Sequence, residues 1–146
     1  MIPEFTATAC AGVFAGAAVY INVAQQPAVS QLGTPTAVRF FGPMYARAAP
    51  MQASLAVAGS AAGLWAWWNG SGWLWLLGGV LLGFVIPFTL VVIAPTNDRL
   101  TDPVLDPSSA EATDLLARWA RLHAVRSMAS TMAFLVFVAA LVARPG

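Results

Sequence analysis

The stretch Trp73-Leu-Trp-Leu-Leu-Gly-Gly-Val-Leu-Leu-Gly-Phe-Val-Ile-Pro-Phe-Thr-Leu-Val-Val-Ile-Ala94 contains no charged residue. Coiled as a helix at about 1.5 Å per residue, it is long enough to cross the about 30 Å hydrocarbon layer of a bilayer. In hydrocarbon no water can satisfy the peptide groups, so the segment must bond to itself as a helix. The rest of the chain agrees with that solvent: of 146 residues 59% are hydrophobic and 9% are charged, against about 25% charged in soluble domains. So few charges cannot cover a protein of this size in water. A net charge of +1 without a run of like charges excludes a basic nucleic-acid-binding domain and intrinsic disorder. The single cysteine, Cys10, excludes a disulfide scaffold.

Three further stretches reach spanning length, so the expected helices cover residues 5–24, 51–68, 73–94 and 119–142. These leave no room for a soluble domain, and residues 1–146 are read as one all-α, antiparallel four-helix membrane bundle. Met1-Ile2-Pro3-Glu4 lacks the positive charge of a secretory signal, so the first helix is expected to be retained. Its Gly12, Gly16 and Tyr20 share a face that suits close packing within the chain, or less readily a homo-oligomer seam. Asn69-Gly70-Ser71-Gly72 forms a tight turn between the second and third helices. The tryptophans around it, at 65, 67, 68, 73 and 75, are expected to form an interfacial belt. Pro87 is expected to interrupt the third helix and free a carbonyl near Gly83.

The two other connections are longer. Residues 25–50 carry Pro27, Gly33, Pro35, Gly42 and Pro43 with aromatic residues between them, which suggests a short interfacial helix or re-entrant turn. Residues 96–118 hold five of the six acids, and Ser108 or Ser109 ahead of Glu111 resembles the N-cap of a helix running into the fourth span. Six of the seven basic residues, all arginines, lie in or beside these connections, with only Arg144 on the other side. The positive-inside rule then places both connections in the cytoplasm and both termini outside, in what is expected to be a bacterial plasma membrane.

Chemistry concentrates in residues 115–130. At about 100° per residue, Trp119, His123 and Arg126 fall on one helical face, and Ser130 continues it a turn deeper, while Arg118 and Arg121 point elsewhere. A histidine and an arginine at the mouth of a span are costly unless they face protein or a wet cavity. Snorkelling of Arg126 and an interfacial role for His123 and Trp119 are the plainer alternative. By the antiparallel order, Asn22, Gln25 and Gln26 at the exit of the first helix, and Thr89, Thr96 and Asn97 at the exit of the third, reach the same level. A pocket there would combine a titratable base (His123), a fixed cation (Arg126), aromatic walls (Trp119, Tyr45) and amide or hydroxyl groups. Capping and loop hydrogen bonds would occupy the amides equally well.

One histidine and no carboxylate inside a span cannot build a two-His haem site or a two-His-one-carboxylate iron site. No thiolate cluster exists for zinc or iron–sulfur. The chain has no Gly-x-Gly-x-x-Gly, phosphate loop, nucleophile elbow or Cys-x-x-Cys, so no metal or other cofactor is expected. Glu4 lies too near a helix end to serve a proton-coupled exporter.

Pro87-Phe88-Thr89-Leu90 through Ile93-Ala94-Pro95-Thr96-Asn97-Asp98-Arg99-Leu100, followed by Leu115-Leu116-x-x-Trp119-x-x-Leu122-His123-x-x-Arg126, resembles a family of small membrane proteins that includes the fungal and bacterial anthrone oxygenases. Ala17-x-x-Tyr20-Ile21-Asn22, ending in Gln26-Pro27-Ala28, is similar to the end of their first helix. Membership implies oxidation of an anthrone to an anthraquinone by O2 without metal or flavin, although most members have no assigned reaction. Relatives often carry an acid or histidine where this chain has Gln25 or Gln26, and a glutamine cannot transfer protons. On this resemblance His123 would take a proton, Arg126 with Asn97 would stabilise the anion, and Trp119 would stack on the rings of a flat hydrophobic substrate. Asn22, Gln25, Gln26, Tyr45 and Thr96 would complete the binding site. The competing expectation is a non-enzymatic scaffold or lipophile-binding protein. An enzyme should close His123 and Asn97 around a pocket; a scaffold should leave them exposed or paired with Asp98, Asp102 and Asp114.

Overall fold

In a computed structural model describing residues 1–143, four long helices follow one another: α1 (Ile2–Ser30), α2 (Thr34–Trp68), α3 (Trp73–Leu100) and α4 (Ala110–Val142). No strand occurs among the described residues. Each helix packs on its neighbours in sequence, and α4 closes the ring against α1. Short connections make this an antiparallel up-and-down bundle. Arg144, the lone arginine assigned to the far side, lies outside the described residues.

Helices α1, α3 and α4 are long and apolar enough to cross a membrane. The fourth span expected at residues 51–68 is the second half of α2, a helix that does not reach that apolarity because Gln52, Ser54 and Ser60 interrupt it. It nevertheless lies in the ring between α1 and α3. The long connection expected at residues 25–50 is almost wholly helical as well. Only residues 31–33 break it, where Gly33 at φ 90° adopts a backbone conformation that side chains resist. Pro35 then sits in the first turn of α2, where its missing N–H costs nothing. Pro43 and Pro50 lie on the exposed side of α2, and Pro87 is likewise carried inside α3 without ending it.

Two of the helices contain a π-helical turn, Ile21–Gln25 in α1 and Thr89–Ile93 in α3. In each, an amide reaches back five residues, Gln26 to the Ile21 carbonyl and Ala94 to the Thr89 carbonyl. In each, the next residue is a proline, Pro27 or Pro95. A proline ring collides with the carbonyl four residues back, and widening the preceding turn relieves the collision.

Below these turns the core consists of Phe14, Trp75, Leu82 and Phe137. Trp75 faces inward and stacks on Phe137 at 5.3 Å, so it leaves the expected belt, while Trp65, Trp68 and Trp73 remain exposed. The Phe137 ring occupies space that side chains at Gly63 and Gly78 would need: a Cβ on Gly63 would fall 2.7 Å from Phe137 Cζ. Gly12 packs on Phe134, whereas Gly16 meets nothing and Tyr20 is exposed. Ser71 donates 2.7 Å to Glu4 and so ties the α2–α3 turn to α1.

At and above the π turns a second cluster holds Phe41, Ile93, Leu116 and Trp119. Ser109 caps α4 by accepting 3.1 Å from the Ala112 amide, as its position ahead of Glu111 suggests. Arg99 bridges Asp102 at 2.7 Å and Glu111 at 2.6 Å, clamping the connection between α3 and α4.

Candidate functional site

The residues singled out in the sequence meet between the two core clusters. Helix α4 supplies Trp119, His123 and Arg126 from one face, all buried, while Arg118 and Arg121 are exposed. His123 is 1% exposed, and its ring stacks on Trp119 with centroids 4.7 Å apart. Trp119 in turn takes the edge of Phe41 at 5.2 Å, and Phe41 stacks on Tyr45 at 5.7 Å. These contacts fix the plane and depth of the imidazole.

Its tautomer follows from Asn22, on the π turn of α1. The Asn22 amide nitrogen donates 3.3 Å to the carbonyl of Ala120, which turns its oxygen toward His123 Nδ1, 2.7 Å away. Ser127 Oγ donates to the same oxygen. An amide oxygen only accepts, so Nδ1 carries the proton and Nε2 is left with its lone pair. Asn22 therefore acts on the histidine.

Arg126 sits a turn deeper, its Nη2 donating 2.7 Å to Gln52 Oε1 on α2 and its guanidinium 5.5 Å from the centre of the Phe14 ring. Gln52 was missed in the sequence, although a lone glutamine entering an apolar stretch is the kind of buried polar group that marks a site. Ser127 was missed too, because its significance depends on where Asn22 falls.

A void of about 20 Å3 is lined by Tyr45, Gln52, Asn97, Trp119, His123 and Arg126, among others. That is room for about one water-sized molecule. Asn97 is 1% exposed and neither its amide oxygen nor its amide nitrogen has a hydrogen-bond partner; Gln52 Nε2 and Arg126 Nε are likewise buried and unpartnered. Unmet buried groups of this kind cost stability unless something fills the site.

The other expected residues stand apart from the void. Thr96 is buried with its hydroxyl unpartnered but does not line it. Gln25 is half-buried with an unpartnered Nε2. Gln26, with Asn22, lines a separate cavity of about 460 Å3 between the end of α1, the start of α2 and α4. Among the described residues, no three or more His, Cys, Asp and Glu side chains gather as a metal site would require.

The sequence profile described as Anthrone oxygenase matches residues 41–136. An anthrone oxygenase of Aspergillus fumigatus, tpcL, is 32% identical over 138 residues, covering 88% of this chain and 86% of the relative. The chain belongs to the anthrone oxygenase family. No solved structure matches it. Within this anthrone oxygenase family member the matched region carries Tyr45, Gln52, Asn97, Trp119, His123 and Arg126, and Asn22 precedes it.

Proposed function

We propose that the protein oxidises a planar phenolic, polyketide-type substrate with O2, using side chains alone. The observation that supports this most directly is the enclosure of His123 and Asn97 around a common void, with the loop acids elsewhere: Asp102 pairs with Arg99. That is the arrangement expected of an enzyme rather than of a scaffold.

The chemistry needs a base, a cation and a dry aromatic slot. His123 Nε2 takes a proton from the benzylic CH2 carbon, and the electron pair spreads through the rings onto the ketone oxygen opposite it, which becomes a phenolate. Arg126 and the amide of Asn97 stabilise that oxygen, and the low dielectric around them strengthens the interaction. The anion passes one electron to O2, and the resulting radicals combine to form a C–O bond. The peroxide then recovers the proton from His123. In a second step His123 removes the remaining C–H proton as the O–O bond breaks. The carbon becomes a ketone, and hydroxide leaves and is protonated to water. One oxygen atom thus ends in the product and one in water. Trp119, stacked on the imidazole, positions it.

The test is O2 uptake by the purified protein in detergent with an anthrone, together with its absorption spectrum. Uptake above the uncatalysed rate, lost in His123→Ala and Arg126→Ala and without haem or flavin bands, is expected. Parental rates in both variants, or a bound chromophore, would overturn the reading.

A further inference from the structure

A second cavity, of about 150 Å3, opens on the flank of the bundle between α2 and α3. Phe14, Ala53, Ala56, Val85, Ile86 and Leu90 form most of its wall, and Tyr45, Ala49, Gln52 and Arg126 line both it and the void beside His123. We propose that this cleft is the slot in which an aromatic ketone or phenol docks one ring, entering sideways from the bilayer. The proposal deepens the functional reading above and rests on it for the reaction that follows docking.

Three observations lead to this ligand. The mouth is apolar and faces outward: Ala53 is exposed and Leu90 is 68% exposed, with Phe84 and Val91 also exposed on the same helix. A solute dissolved in hydrocarbon can therefore reach it without crossing water. The polar groups on its wall include Tyr45, Thr89, whose hydroxyl already donates to the Val85 carbonyl, and two donors that nothing meets. Gln52 Nε2 and Arg126 Nε are buried N–H groups with no acceptor, and Gln52 is 2% exposed. An acyl chain would leave both donors unmet, whereas a carbonyl or phenolic oxygen on a flat apolar body would satisfy them. Finally, an apolar cavity of about 150 Å3 is known to accept a benzene ring. Gln52 and Arg126, hydrogen-bonded to each other, line both the slot and the void, so a ligand oxygen held at the inner end lies close to the residues around His123.

Binding of anthraquinone, which has acceptor oxygens but no CH2 to oxidise, tests the slot independently of turnover. The full chain in lipid nanodiscs would be titrated with anthraquinone and with anthracene, which lacks oxygen, following quenching of tryptophan fluorescence. Ala53→Trp, which fills the mouth, is expected to weaken both ligands at least about tenfold, and Gln52→Leu to weaken anthraquinone about tenfold but anthracene less than about twofold. Leu90→Trp obstructs from the opposite wall and decides the matter if Ala53→Trp does not fold. Parental affinity in a folded variant with the mouth filled would overturn the slot, and equal losses of both ligands in Gln52→Leu would overturn the reading of its donors. A parent that binds anthraquinone but shows no anthrone-dependent O2 uptake would defeat the catalytic reading and leave the slot standing.

Discussion

His123 Nδ1 and Asn22 Oδ1 lie 2.7 Å apart, across the contact between two helices separated by most of the chain. Helix α1 thereby decides which nitrogen of an α4 imidazole is free to act as a base. Asn22→Leu should leave the ring in place against Trp119 but release its tautomer. Turnover is expected to fall about tenfold or more, within the about 10²–10⁴ that a general base supplies. The 15N shifts of labelled His123 separate this from a structural effect: the parent should show protonated Nδ1, and the variant a mixture. Unchanged shifts would remove Asn22 from this role.

Gln52 and Arg126 should depend on each other for stability. Gln52→Leu deprives a buried guanidinium of its acceptor and is expected to cost about 1.5–3 kcal/mol. In Arg126→Met the glutamine loses its partner, but no charge is stranded. The double variant should recover part of the loss, because two apolar groups leave no polar group unmet. Unfolding of all four proteins in mild detergent would measure the coupling, and strictly additive losses would contradict it.

Gly63→Val places two methyl groups where the Phe137 ring stands. Overpacking of this kind is expected to cost about 1–3 kcal/mol, seen as a lower thermal midpoint. Phe137→Leu in the same chain should restore part of it, since the smaller side chain yields the space. A midpoint equal to the parent's would mean that the helices separate at no cost.

The connection after α3 should loosen in acid. The Val104 amide, and then Arg99, hold the Asp102 carboxyl below the ordinary aspartate range. A depressed folded value stabilises the connection fully above the unfolded value of about 3.9, and the contribution is lost as pH falls through the folded one. Hydrogen-exchange protection of Val104 should therefore drop between pH 6 and pH 2, and Asp102→Asn should show reduced protection already at pH 6. Equal protection at both pH values would count against the clamp.

The bundle was legible because the α3 stretch can satisfy its peptide groups in lipid only as a helix, and the neighbouring runs repeat its length. The face carrying Trp119, His123 and Arg126 was legible because helical periodicity alone brings the three together. The helix through residues 34–50 was not. Its prolines and glycines read as turn signals, yet Pro35 falls in a first turn and Pro43 on an exposed side, where a helix tolerates them. Gln52 was hidden for a related reason: its partner lies 74 residues away in the chain, and no local pattern reports such a pairing.

The two π turns have a consequence for how the chain tolerates changes in length. A π turn is an α-helix holding one surplus residue, so removing a residue from within Thr89–Ile93 would not cut α3. It would restore the ordinary winding and leave everything after it at nearly its present angle, because the wide turn confines the extra residue to itself. Asn97 would keep its side toward the void. A residue lost from the ordinary winding between this turn and Asn97 has no such slack: it would rotate Asn97 by about 100° off the void while the helix kept its apolar character and almost its length.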